Sequence, residues 1–324
     1  MNLCRRSAAF VVLLLLCVSF SGCIKIDEVI QPLIVNSGQT IAIMVHVEIH
    51  QTKANQANQL IFGFLAPRDW DAAKNTTITY SSSRGDGKMT LASPGVVATG
   101  FDNTWPATLM GRFGSGPNLV KDMEWVIFRA DTTYGSVEGG PVVKGAIKIV
   151  TKAGLENEIV RLGYFLTTSE GIEPSDDPFY SKDLRVVGGK GQLIDFSHSQ
   201  VATIVPVRSV DDDYVTMTFD GNARQTPLTV SRAVFLEAIA YTGDQQVIKV
   251  TEKNPGTRLA PMGGNKWRIQ IRPRAFFNLK DGQALSRMEY YFTDKAGARV
   301  GYDDTGTPFK YVFWKESGPI ELKK

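Results

Sequence analysis

With 324 residues, 43% of them hydrophobic, the chain is long enough for two ordinary globular domains. It carries 36 Lys and Arg against 33 Asp and Glu; setting aside Arg5 and Arg6, which belong to a removable leader, 34 basic residues face 33 acidic ones. So even a balance excludes a nucleic-acid partner held by a basic surface. Gly-x-Ser-x-Gly, His-Glu-x-x-His and a phosphate-cradling glycine loop are all missing from the sequence, which therefore predicts no cofactor and no enzyme.

Residues 1–22 have the three parts of a secretory signal: Arg5 and Arg6, an apolar run from Ala8 to Phe20, and the small pair Ser21 and Gly22. The run has 13 residues, short of the roughly 20 a helix needs to cross a bilayer. Phe20-Ser21-Gly22-Cys23 resembles a lipobox, with phenylalanine where leucine is usual. Of the three cysteines, Cys4 and Cys17 leave with the signal and Cys23 stands alone. Acylation of Cys23 accounts for that lone thiol, and several acyl chains hold a protein on its membrane. Asp27 and Glu28, after Cys23-Ile-Lys-Ile, resemble the acidic signal that sends such lipoproteins to the cell exterior. The expectation is a lipidated leader over 23–35 and an outer-membrane protein facing outward.

From Thr40 to His50 apolar and polar residues alternate, with Ile41, Ile43, Val45, Val47 and Ile49 on one face, as in a half-buried strand. Similar runs follow at Gln59–Leu65, Thr76–Tyr80, Glu124–Ala130, Gly145–Thr151 and Ile159–Thr167. A short helix or irregular insertion is predicted between Pro106 and Lys121, where Gly111, Gly114 and Gly116 interrupt. Further runs at Tyr214–Phe219, Ala233–Tyr241, Gln246–Thr251, Trp267–Ile271, Arg287–Phe292 and Phe309–Phe313 complete an all-β pattern. Two tandem immunoglobulin-like β-sandwiches are predicted, 36–205 with the insertion and 206–324. A short internal duplication of a few residues per strand favours a related tandem, the alternative being two unrelated β-domains that converge. Arg161-Leu-Gly-Tyr-Phe-Leu-Thr167 matches Arg287-Met-Glu-Tyr-Tyr-Phe-Thr293, Leu60–Leu65 matches Ala233–Ala238, and Trp125–Phe128 matches Trp267–Ile271.

The lipobox, the tandem, Met262-Gly-Gly-Asn-Lys-Trp267 and Arg287-Met-Glu-Tyr-Tyr-Phe-Thr-Asp294 together resemble an uncharacterised Bacteroidota family of cell-envelope lipoproteins of the kind associated with glycan-uptake systems. That resemblance implies immunoglobulin-like domains, polysaccharide as a ligand class, and an outer-membrane transporter or another envelope protein as a partner. The second domain is also similar in rhythm to starch-binding modules through Ala238-Ile-Ala-Tyr-Thr242, Met262, Trp267 and Tyr290-Tyr-Phe292. This implies a fold and not a sugar.

Sugar binding needs exposed aromatic faces beside hydrogen-bonding groups. Trp125, Trp267 and Trp314 lie in apolar strand patterns and are expected in the core, whereas Trp70 and Trp105 stand in polar loop sequence and are the candidate ligand-binding residues. His46, Glu48 and His50 share one strand face at two-residue spacing, which could bring them to a metal; the competing reading is a solvent-facing strand, so no metal is predicted. His198 has no nucleophile motif beside it. Asp176-Asp177, Asp211-Asp-Asp213 and Asp303-Asp304 fall in turns, where Asp bonds its own backbone. Arg84-Gly85-Asp86 reads as a hairpin turn, and Asp131-Thr132-Thr133 resembles a short O-glycosylation acceptor. The functional expectation is noncatalytic capture of a glycan or other extracellular ligand. The alternatives are a protein-interaction subunit of an envelope complex, marked by apolar patches or open strand edges, and a glycoside hydrolase, marked by two carboxylates facing across a cleft.

Overall fold

Period-two alternation, with no long amphipathic stretch to compete, makes strands the dominant regular element of the described residues. A computed structural model describes residues 24–51, 54–173, 178–303 and 305–314. The signal segment, Cys23, Asp176, Asp177 and Asp304 lie outside the described residues.

The first thirteen strands are β1 (Ile24–Ile30), β2 (Ile34–Asn36), β3 (Thr40–Gln51), β4 (Asn55–Asn58), β5 (Leu60–Pro67), β6 (Thr77–Ser82), β7 (Gly85–Leu91), β8 (Met123–Ala130), β9 (Tyr134–Ser136), β10 (Gly140–Lys152), β11 (Asn157–Thr168), β12 (Phe179–Val187) and β13 (Leu193–Asp195). All but the β4–β9 ribbon belong to one sheet, ordered β1-β3-β10-β6-β7-β8-β5-β11-β12-β2, with β13 beside β11. The sheet folds over on itself through β7, so that β1 packs across the core on β11 and β12. One layer, β1-β3-β10-β6, has the A-B-E-D order of an immunoglobulin sandwich, and the other places β5-β11-β12 as C, F and G.

Strand β3 buries Ile41, Ile43, Val45, Val47 and Ile49. After the one-turn helix α1 (Ala72–Asn75), the helix α2 (Trp105–Phe113), inside the insertion, covers the outer side of β5, so that this strand is buried on both faces. A Cβ on Gly63 would come within 2.8 Å of Leu109 Cδ1, so glycine lets α2 sit directly on the strand. Phe113 stacks on Phe179 at 5.0 Å and Trp105 lies 6.1 Å from Phe165, which closes this second layer of core. Pro106 begins the helix and Gly114, at φ +60°, ends it.

The second sandwich contains β14 (Ala202–Val205), β15 (Val215–Asp220), β16 (Phe235–Thr242), β17 (Val247–Val250), β18 (Ala260–Gly263), β19 (Lys266–Ile271), β20 (Leu285–Thr293), β21 (Arg299–Val300) and β22 (Phe309–Val312). Its sheets are β14-β15-β19-β18 and β17-β16-β20-β21, with β22 also on β20. These are A-B-E-D against C′-C-F-G, again the immunoglobulin arrangement. Phe219 and Phe292 meet between the sheets at 5.3 Å, in a core separate from the first.

Three expectations are corrected by the fold. The leader expected over 23–35 is, from Ile24 on, part of the first sandwich: β1 pairs with β3, Ile24, Ile26 and Val29 are buried, and β2 pairs in parallel with β12. The second sandwich begins at Ala202 and not after Val205, because β14 pairs along its whole length with β15. Trp314 is 47% exposed and not core, with the Arg208 guanidinium 5.6 Å from its ring centre. The duplication holds for the C strands (β5 and β16) and the F strands (β11 and β20), but Trp125 lies on β8 and Trp267 on an E strand, so those two are not equivalent. Among the described residues no helix is long and apolar enough to cross a membrane.

Candidate functional site

The connection between the sandwiches is bonded to both. Asp122 Oδ2 accepts the Val207 N–H at 3.0 Å, and Arg208 Nη1 lies 3.4 Å from Glu156 Oε1. On the other side Tyr311 donates to Ser209 Oγ at 2.9 Å, and the Gln192 amide bonds the start of β22 and the residue before it, accepting from Lys310 N at 2.9 Å and donating to Pro308 O at 2.8 Å. Between these ties lies an open cleft of about 500 Å³, the size of a small-ligand site. Polar side chains enter it from both sandwiches, with Gln192, Asp195 and His198 on one wall and Tyr302, Asp303 and Lys310 on the other.

Each wall is held by local chemistry. Asn157 donates to Gly189 O at 3.0 Å and to Gly191 O at 2.8 Å, and accepts from Gly189 N at 2.9 Å, which fixes the loop before β13. A Cβ on Gly189 would stand 2.5 Å from the Glu156 carbonyl carbon and 2.6 Å from Asn157 N, both backbone. Gly189→Ala should therefore cost about 1–3 kcal/mol by overpacking, read as a lower urea midpoint. Across the cleft, Arg224 Nη2 donates to Gly301 O at 3.1 Å, and Tyr302, 41% exposed, packs its ring edge to Phe309 at 6.5 Å. The Asp303 carboxylate accepts from the Thr305 hydroxyl at 2.7 Å and the Thr305 N–H at 3.0 Å. The Thr305 hydroxyl bond first, and the other Thr305 and Thr307 donors with it, keep Asp303 below the usual carboxylate range, so it presents a negative charge.

His198 does find a serine and an acid, but not as a relay. Its Nδ1 lies 2.9 Å from both Asp195 Oδ2 and Ser197 Oγ, and Ser197 Oγ donates to Asp195 Oδ1 at 2.7 Å. A relay needs the serine and the carboxylate on opposite ring nitrogens. This is a turn that fixes the imidazole at the cleft.

Beneath the cleft, where β5 ends and β11 begins, four carboxyl groups gather: Asp69, Asp122, Glu156 and Glu158. Glu158 is 0% exposed, and its Oε2 accepts the Trp70 indole N–H at 2.9 Å. Asp69 Oδ1 and Glu158 Oε1 are buried with no donor facing them, and the two carboxyl groups lie close enough to act on each other, an arrangement that favours a proton held by the pair. Burial first, and the charge of Asp69 second, push Glu158 well above the ordinary glutamate value. Burial likewise pushes Asp69 up to about 6. Asp122 and Glu156 are also raised by burial, against the lowering effects of the Val207 N–H and of Arg208. A glycosidase pair faces open space across a gap; Glu158 is sealed from solvent and faces none.

Trp70 and Trp105 are corrected as ligand platforms, being only 1% and 2% exposed. Trp70 turns under the domain because Asp71, at φ +47°, reverses the chain after it, and its indole N–H meets Glu158. Trp105 opens α2 and packs inward on Phe165. His46, Glu48 and His50 do share a face of β3, where Glu48 is tied to Lys144 at 2.5 Å. Among the described residues no group of three or more His, Cys, Asp or Glu is arranged to hold a metal.

A family profile described as a domain of unknown function, DUF4961, matches residues 24–200, more than half of the chain. The chain belongs to the DUF4961 family. A second profile, the domain of unknown function DUF8578, matches residues 202–300. The two matches meet at the junction of the sandwiches, so the cleft of this DUF4961 chain lies between two differently classified domains. Comparison with curated proteins finds no match. Among solved structures, a biofilm associated protein B domain is similar at 8% identity and a TM-score of 0.27, over 90% of this chain and 85% of that one. The C-terminal domain of the Streptococcus agalactiae AgI/II polypeptide BspA aligns at 10% identity and a TM-score of 0.25, over 88% and 96%. A partial N-terminal region of an enterococcal surface protein aligns at 9% identity and a TM-score of 0.28, over 89% and 94%.

Proposed function

We propose that this chain is a noncatalytic, lipid-anchored outer-membrane protein that captures a glycan or another hydroxyl-rich extracellular ligand in the cleft between its two sandwiches. The cleft itself carries the reading, because it brings one exposed aromatic, Tyr302, together with the hydrogen-bonding side chains of Asp195, His198, Asp303 and Lys310. A tyrosine edge beside carboxylate, imidazole and ammonium groups suits hydroxyls better than an apolar ligand. Anchoring through Cys23 would hold the site at high local concentration near a transporter or enzyme, so that weak binding is amplified by avidity.

Affinity electrophoresis of the soluble protein, starting after Cys23, against a polysaccharide panel tests this. Retardation by one glycan class is expected, weakened about 10-fold or more by Tyr302→Ala and by Asp303→Asn, each near the range of a single buried contact. Retardation that survives both substitutions would remove the cleft from the account.

A further inference from the structure

The lipid-bearing residue of the proposed anchor stands directly before Ile24, and Ile24 is already a buried residue of the first sandwich. It pairs with Ile49, which in turn pairs with Val143 across β3. One peptide unit, about 3.8 Å between Cα atoms, thus separates the acylated position from a fixed point in the sheet. No flexible spacer intervenes. A protein so attached must bring that end of its fold to the bilayer.

The end in question is defined by register. It is where β1 and β10 begin and β3 ends, since Gly140 pairs with Gln51 and Ile24 with Ile49. The Gln51 side chain pins the turn between β9 and β10: its Oε1 accepts Val137 N at 3.0 Å and its Nε2 donates to Pro141 O at 2.6 Å. Two apolar side chains of this turn and of the start of β10 are exposed, Val137 at 61% and Val142 at 39%. The junction with the second sandwich lies at the opposite pole, where β3 begins, β10 ends and Glu156 meets Arg208. The 12 residues of β3 separate the two poles by about 37 Å at ~3.4 Å per residue.

We infer that the Gln51–Val142 pole of the first sandwich is a membrane-seating surface. Val137 and Val142 rest in the headgroup region, and the first sandwich stands as a rigid pillar that holds the cleft away from the bilayer. The inference rests on the lipid anchor of the proposed function and adds the face and orientation. Shallow apolar insertion of this kind adds little affinity beside the acyl chains; its effect is to fix orientation.

Because the mature chain has no cysteine other than Cys23, single-cysteine labelling is direct. The full lipidated chain carrying Val137→Cys, Val142→Cys or, as a control in the second sandwich, Lys280→Cys would be labelled with an environment-sensitive dye and placed in phosphatidylcholine vesicles with spin-labelled headgroups. Blue-shifted emission and loss of most intensity are expected at 137 and 142, with neither change at 280. Mass spectrometry of the Cys23 peptide separates the two layers of the claim. Acylated Cys23 with unquenched 137 and 142, or with 280 quenched equally, overturns the seating surface alone. An unmodified Cys23 overturns the anchor itself. Since both valines are exposed, circular dichroism should match the parent chain.

Discussion

Trp70→Ala should unfold the first sandwich at much lower urea than the parent chain, with a loss of about 3–5 kcal/mol. The indole is fully buried, so its removal leaves a large cavity under the junction, and it takes away the indole N–H that Glu158 accepts. Trp70→Phe separates the two effects. It refills most of the volume and should cost about 1–3 kcal/mol, the price of an unsatisfied buried acceptor. Urea midpoints at unchanged m value measure both. A loss below about 1 kcal/mol for Trp70→Ala would mean that the side chain does not sit as described. The same result warns against using this residue in binding assays, where a lost signal would report unfolding.

Glu158→Gln should stabilise the protein at pH 8 by about 1–3 kcal/mol, a rise of roughly 2–12 °C in Tm. The amide can accept the Trp70 N–H with its oxygen and donate to Asp69 with its nitrogen, so no proton need be captured to hold the pair. The sign follows from linkage. Asp69, at about 6, and Glu158, well above its ordinary value, both bind protons more tightly folded than unfolded. Their contribution to stability is therefore intact below the ordinary carboxylate range and is lost as pH rises through about 6 and beyond. The advantage of Glu158→Gln should shrink as pH falls and vanish near pH 4, where the parent pair is fully protonated. Elsewhere Asp183, held low by Arg161, contributes the opposite slope, so the difference between parent and variant is the quantity to follow. Equal stability at pH 8, or a constant penalty at every pH, would contradict a shared proton.

The strand content was readable from alternation because each sandwich buries one face of each strand, and the β3 pattern survives unchanged in the fold. Strand β1 was missed for a specific reason. A register shift between Ile26 and Glu28 breaks its alternation at Asp27, and the acidic pair invites a leader reading. Trp70 and Trp105 were misplaced because polar neighbours say nothing of a reversal at Asp71 or of a helix lying flat on β5. The sequence did hold a signal for the carboxyl cluster: Glu158 is in phase with Val160 and Leu162, so the periodicity that buries them buries it too. The cleft had no such signal, since its walls come from segments more than a hundred residues apart, joined only by contacts such as Gln192 with Lys310.

Hydrogen exchange of the soluble protein with and without the polysaccharide that retards it tests the proposed site most directly. Slowed exchange in the segments around His198 and Tyr302 together, on both walls and in few other places, is the predicted result. Protection confined to one sandwich, or along the exposed β18 edge, would place the ligand elsewhere and contradict the cleft.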